Sequence, residues 1–245
     1  MNLATKHLKL FALFSSAIAA HALADTAAQP GMHGDHMMAA PNYSKIMLDK
    51  FEAGDDDTQA WDIQAWYGGD LDKLWIKSEG ERSEGNTETA ELQILYSRAI
   101  SPFFDAQIGA RHDFQPTPAR DWLALGLQGL APYFFETEAT LFIGTEGRSA
   151  LRLKAEYELL FTQKLILSPE VEMNLYAEDD PQTGVGNGLS DLEFGLRLRY
   201  EIVREFAPYI GVVWTHQYGD TADFSRAHGD DASAVQWVAG IRAWF

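Results

Sequence analysis

The sequence predicts an all-β protein: a transmembrane antiparallel up-and-down β-barrel of about twelve strands, preceded by a flexible N-terminal tail. Three observations carry this. The last stretch, Ser233–Phe245, alternates apolar and mixed residues and ends the chain on an aromatic. Segments of about ten alternating residues recur from Tyr43 onward, close to the ~9–11 residues a tilted strand needs to cross a bilayer. Short turns alternate with longer polar loops, as at the two ends of an outer-membrane barrel.

Residues 1–24 read as an export signal. Lys6 and Lys9 supply the positive end, Leu10 to Ala20 the apolar run, and Ala22-Leu23-Ala24 the cleavage site, which leaves Asp25 first. Loss of the two lysines takes the formal charge from −17 to −19. That balance argues against nucleic acid, which needs a basic footprint, and suits attraction of cations or simple solubility. The absence of Cys rules out a disulfide framework and thiolate ligands. No later run reaches the ~18 apolar residues of a spanning helix.

Residues 25–42 form the tail. Within it, Gly31–Met38 reads GMHGDHMM. Met32, His33, His36, Met37 and Met38 fill five of its eight positions, in a chain with six Met and seven His overall. Thioether sulfur suits Cu(I), and imidazole suits Cu(II) and other borderline metals. A mixed Met/His cluster without Cys therefore points to a copper ion as bound ligand. Pro30, Pro41 and the glycines predict a flexible segment that wraps an ion. The alternative is a solvated terminus of accidental composition, since short His-rich tracts are compositional signals only.

The barrel is predicted over 43–245. Residues 43–52 alternate weakly, leaving the phase of the first strand ambiguous; Met47, beside Asp49, is a weak candidate for a lumen ligand. Trp61, Ile63, Ala65 and Tyr67 alternate with Asp62, Gln64 and Trp66. After Gly68-Gly69-Asp70, Leu74 and Ile76 oppose Lys73 and Lys77. Further strands follow at 90–97 and 104–111, and a Leu123, Leu125, Leu127 face marks the next. The second half alternates more cleanly, through 135–143, 151–159, 165–175, 192–201 and 210–215. Turns are expected at 68–70, 100–102, 129–132, 162–164 and 203–206. Longer loops are expected at 53–58, 80–88, 114–120, 178–188 and 218–232, with 144–149 brief. This places both termini at the short-turn, periplasmic end.

In the closing strand, Val235, Trp237, Ala239, Ile241, Ala243 and Phe245 share one face. A lone C-terminal strand is an exposed edge, so it is expected to pair with the first strand and close the barrel. The competing fold is a soluble sandwich with this strand at its edge.

Charges of both signs share one face in the second half: Glu136, Glu138, Arg152, Lys154, Glu156, Glu158, Glu170, Glu172, Asp191, Glu193, Arg197, Arg199 and Glu201. In a membrane barrel that face is the lumen, because a midplane Arg or Lys facing lipid costs ~2–4 kcal/mol. Mixed signs suggest cross-strand ion pairs filling the interior; a path for ions is the alternative. Met173 lies in the lipid-facing phase. His112, His216 and His228 read as solvated residues near the loops.

The runs WDIQAWYGGDLDKLWIKSEGE (61–81), AELQILYSRAISPFFDAQIGARHDF (90–114), RDWLALGLQGLAPYFFETEATLFIG (120–144) and GLSDLEFGLRLRYEIVREFAPYIGVVW (188–214) resemble the copper-resistance protein B (CopB/PcoB) family. The resemblance covers nearly the whole mature chain. It implies a bacterial outer-membrane barrel, seated in outer-membrane lipid, acting with periplasmic copper-handling proteins in copper tolerance. Members usually carry an extended Met/His-rich segment after the signal; this chain has one short cluster there.

Three functions are weighed: a copper-binding barrel that binds or passes the ion, a barrel enzyme acting on lipid, and a small-solute pore. An enzyme needs a nucleophile–base constellation, and no Ser or carboxylate signature surrounds the three histidines. Twelve strands enclose less than the sixteen or more of porins. The copper-binding, non-enzymatic reading is therefore preferred.

Overall fold

The structure, a computed structural model, describes residues 41–55 and 57–245, with the side chain of Glu146 set aside. Residues 1–24, read above as an export signal, and the five tail residues Met32, His33, His36, Met37 and Met38 lie outside the described residues.

Antiparallel strands run in chain order around a closed wall: β1 (Tyr43–Gly54), β2 (Gln59–Gly68), β3 (Asp72–Ser83), β4 (Asn86–Ala99), β5 (Phe104–Gln115), β6 (Arg120–Ala131), β7 (Phe135–Gly144), β8 (Ser149–Glu156), β9 (Leu159–Leu160), β10 (Leu165–Tyr176), β11 (Gly188–Tyr200), β12 (Phe206–Gln217) and β13 (Ser233–Trp244). Both β8 and the two-residue β9 pair with β10, in one unbroken register. The gap faces Pro169, which has no N–H to give the ladder. The two pieces are one stave, so the wall has twelve staves. Closure comes from β13 pairing with β1, as expected for the terminal strand.

Outward positions are apolar and exposed. Ile76, Ile94, Ile108, Leu123, Leu127, Ile210 and Trp237 all face away from the lumen with 46–69 % of their surface open. In water such a continuous apolar surface would drive association; in a bilayer it is the lipid face. Exposed aromatics ring the short-turn end, among them Tyr43, Tyr67, Phe103, Tyr133, Phe134, Phe161 and Phe245. Phe51, Phe114 and Trp237 stand near the opposite end. These are the two aromatic girdles of a membrane barrel.

Four expectations need correction. The loop expected at 80–88 is ladder: β3 and β4 stay paired out to Ser83 opposite Asn86. Glu84 (φ 50°) and Gly85 (φ 86°) make the two-residue turn, both in the left-handed region that such hairpins require. The strands at 53–54 and 114–115 likewise run beyond their expected ends. At 80–83, beyond the lipid band, both faces are polar, so no hydrophobic alternation marks the strand there. Second, the 218–232 loop contains helix α1 (Gly219–His228), stopped by Gly229 in the left-handed conformation. Third, Glu201 lies past the end of β11, in the turn, not on the lumen wall. Fourth, β1 is full length, but its pairing with β2 shifts between Leu48 and Lys50. The extra residue is a bulge, which puts Asp49 and Lys50 both against the lumen. That is why the phase of this strand was unreadable.

The lumen as candidate functional site

Strand alternation sends every second residue inward, so the charged face becomes the lining. Several of the second-half charges find partners on staves across the lumen as well as on neighbouring ones. Lys77 on β3 is 1 % exposed and reaches β7, four staves away. Its Nζ donates to Glu138 Oε2 at 2.7 Å and to Gln128 Oε1 at 3.2 Å. Arg152 on β8 donates both Nη atoms to the Glu91 carboxylate on β4 at 2.9 Å. Lys154 donates to both oxygens of Glu79 on β3 at 2.8 Å. Arg197 on β11 forks onto Glu52 of β1 at 2.9 and 3.0 Å and donates to Glu170 at 2.8 Å. Lys50 donates to the other Glu170 oxygen at 2.7 Å. Nearer the short-turn end, Arg242 lies 3.3 Å from Asp49 and 3.4 Å from Glu156, and Arg199 bonds Glu158.

These contacts decide between an empty pipe and a braced interior. A buried charge without a partner costs several kcal/mol, so each inward Arg or Lys is tolerable only with its carboxylate in place. The expected network of ion pairs is present, and it ties non-adjacent staves together. A small apolar cluster of Trp75, Leu95, Trp122, Ala124, Phe142 and Ala150 fills one side.

Two cavities remain. The loop-end cavity is about 550 Å³, bordered by Glu79, Glu91, Arg152, Asp191 and Glu193 among others. The turn-end cavity is about 380 Å³, bordered by Met47, Asp49, Trp75, Glu136 and Arg242 among others. Lys50, Asp62 and Arg197 border both. The loop between β10 and β11 folds over the mouth: Asp180 accepts from Arg120 at 3.0 Å and lies 3.4 Å from Arg148. Thr221 of α1 accepts from the Gly186 N–H at 2.8 Å, bracing the two longest loops together.

The sequence candidates separate. Met47 does face the lumen, packed against the Trp75 cluster, and among the described residues is the one thioether bordering either cavity. Met173 pairs with Leu153 and Leu192 in the lipid-facing phase, as expected. His216 stacks on Trp214 and meets Tyr218 edge-on, and His228 contacts the Phe224 carbonyl oxygen at 2.8 Å. His112 has the carboxylate that the linear sequence hid: Asp121, its cross-strand partner, sits 2.6 Å from Nδ1. Among the described residues no group of three or more His, Asp or Glu could hold a metal ion.

Sequence reasoning missed the first-half partners Lys50, Glu52, Glu79, Glu91 and Arg111 as members of the network. The alternation of Glu79, Glu91 and Arg111 was visible, whereas the bulge in β1 hid that of Lys50 and Glu52. Their role depends on which stave lies opposite.

A closed twelve-stave wall, an apolar outside, aromatic girdles and an ion-paired interior define an outer-membrane-type β-barrel. The solved structure of the NanC porin shares this fold, with a TM-score of 0.52 at 10 % identity, covering 82 % of this chain and 99 % of that one. The family model described as copper resistance protein B precursor (CopB) matches residues 42–245. Copper resistance protein B of Escherichia coli is 50 % identical over 210 residues, covering 84 % of this chain and 71 % of that protein. The copper resistance protein B homolog of Pseudomonas syringae pv. tomato (strain ATCC BAA-871 / DC3000) is 48 % identical over 227 residues, covering 91 % and 77 %. The chain belongs to the copper resistance protein B family.

Proposed function

We propose that this protein serves copper resistance at the outer membrane by binding copper on its N-terminal segment and passing the ion between periplasm and exterior through the lumen. Family membership supports the copper role. The observation that carries the passage is the pair of charge-lined lumen cavities that share Lys50, Asp62 and Arg197 as lining residues. The loop-end cavity is bordered by Asp62, Asp191 and Glu193, which make no ion pair among the described residues, so its lining favours a cation over an anion. Copper is cargo in this reading, not a resident cofactor.

The donors divide the work. Met32, Met37 and Met38 supply soft sulfur for Cu(I), and His33 and His36 supply nitrogen for Cu(II). Met47 adds a thioether on the turn-end side of the lumen. The start of β1 and the end of β13 share the short-turn end, and a periplasmic copper-handling protein is the partner that would exchange the ion with residues 25–42. The proposed role is that of a binding and transport protein, and the family to which the chain belongs supports it.

The test is copper flux into vesicles holding the full-length protein or a variant lacking residues 25–42. Flux well above protein-free vesicles, reduced by the deletion, is expected. Equal flux with and without the barrel would refute passage, and equal copper binding with and without the tail would refute the tail site.

A further inference from the structure

Lys50 sits where the two lumen cavities meet. Two cations border both cavities, and they are held differently. Arg197 is locked by a two-pronged bond to Glu52 and a third bond to Glu170, with Tyr209 adding a hydroxyl bond to the same Glu52. Lys50 makes a single hydrogen bond, to Glu170 at 2.7 Å. A guanidinium fork fixed at three points is rigid; an ammonium on a four-carbon stem with one anchor can swing. The bulge at β1 is what aims it here, since a regular strand would turn either Asp49 or Lys50 outward.

The surroundings give that ammonium somewhere to go. Asp62 also borders both cavities, is 8 % exposed, and among the described residues accepts one long hydrogen bond, from Gln64 at 3.4 Å. Glu193, on the loop side, makes no ion pair among the described residues. Arg197 would keep Glu170 neutralised if Lys50 left.

We propose that Lys50 is the charge barrier of the lumen and sets its selectivity: in place it blocks cations between the cavities, and displaced toward Asp62 it opens a carboxylate-lined cation path. This rests on the lumen-passage reading but concerns ion permeation in general, so it can be tested without copper.

The experiment is planar-bilayer recording of the full-length protein in a potassium chloride gradient. Lys50→Met is expected to raise conductance about tenfold and shift the reversal potential toward that of potassium, because a like charge is removed from the section whose residues line both cavities. Lys73→Met, near the short-turn end beside Asp105, should change neither. Heat-modifiable migration checks folding. Glu170→Gln, which keeps Lys50 and removes its anchor, should raise open-state flicker and cation current and stands in should Lys50→Met not fold. Unchanged conductance in the folded Lys50→Met protein, or in Glu170→Gln in its stead, would overturn the proposal, as would a current carried by chloride. A raised potassium current with unaltered copper tolerance would leave the barrier standing and sink the copper-passage reading instead.

Discussion

Ile46 and Phe245 exchange both of their backbone hydrogen bonds: Ile46 N–H donates to the Phe245 oxygen at 3.0 Å, and Phe245 N–H to the Ile46 oxygen at 2.9 Å. The last residue of the chain therefore closes the ladder on the first strand. Its ring is 79 % exposed on the lipid side, at the short-turn girdle.

Deleting Phe245 removes both bonds and an interfacial aromatic. The folded outer-membrane population should fall by heat-modifiable migration, the loss of two hydrogen bonds of ~1 kcal/mol each being about thirtyfold in the folding equilibrium. Arg242→Lys keeps a positive charge among Asp49, Glu156 and Glu158 and should leave that population unchanged. Normal migration of the truncated protein would mean closure does not depend on the terminus.

Lys77→Ala leaves Glu138 in the lumen without its 2.7 Å partner. Breaking a buried pair from one side costs about 3–5 kcal/mol, whereas replacing both partners with apolar or neutral groups costs far less. Urea unfolding in lipid vesicles should show a large loss for Lys77→Ala and a smaller one for Lys77→Met with Glu138→Gln. Equal losses would mean the pair is not coupled.

Topology is testable with protease on intact cells. The residues after α1, Gly229 to Asp231, are exposed in the 218–232 connection, so cleavage is expected there first. The 178–188 loop should be slower, because Asp180 is pinned by Arg120. The 25–42 tail should be spared. Cleavage of the tail in sealed cells would invert the proposed orientation.

Replacing Met32, Met37 and Met38 by Leu should lower Cu(I) affinity mainly, and replacing His33 and His36 by Ala should lower Cu(II) affinity mainly. Only neutral imidazole ligates, so Cu(II) affinity is retained above the reference His value of about 6.5 and weakens as pH falls through it. Thioethers do not titrate, so Cu(I) binding should be nearly flat over the same range. Competition titrations at pH 5 and pH 7.5 separate the two; a tail-less barrel that binds copper as tightly as the intact protein would move the site elsewhere.

Alternation along the chain by itself determined the wall: a strand between lipid and lumen must change character at every residue, and Leu192, Phe194, Leu196 and Leu198 against Glu193, Arg197 and Arg199 carry that rule openly. The pattern of 233–245 marked a strand that needs a partner, with a sandwich edge as the competing place; the pairing with β1 was settled by the structure. The Met/His segment was legible as composition alone. Three things were decided only in three dimensions. Strand ends beyond the lipid band, such as Arg82-Ser83 opposite Asn86-Thr87, have no apolar face to betray them. The bulge at Asp49 lies in one residue of extra length, which period-two reasoning reads as noise. Above all, Lys50 and Glu170 stand 120 positions apart and Arg197 and Glu52 stand 145 apart. Local pattern tells a strand which face is inside, but the partner of a buried charge is set by which stave stands across the lumen, and that follows from closing the barrel.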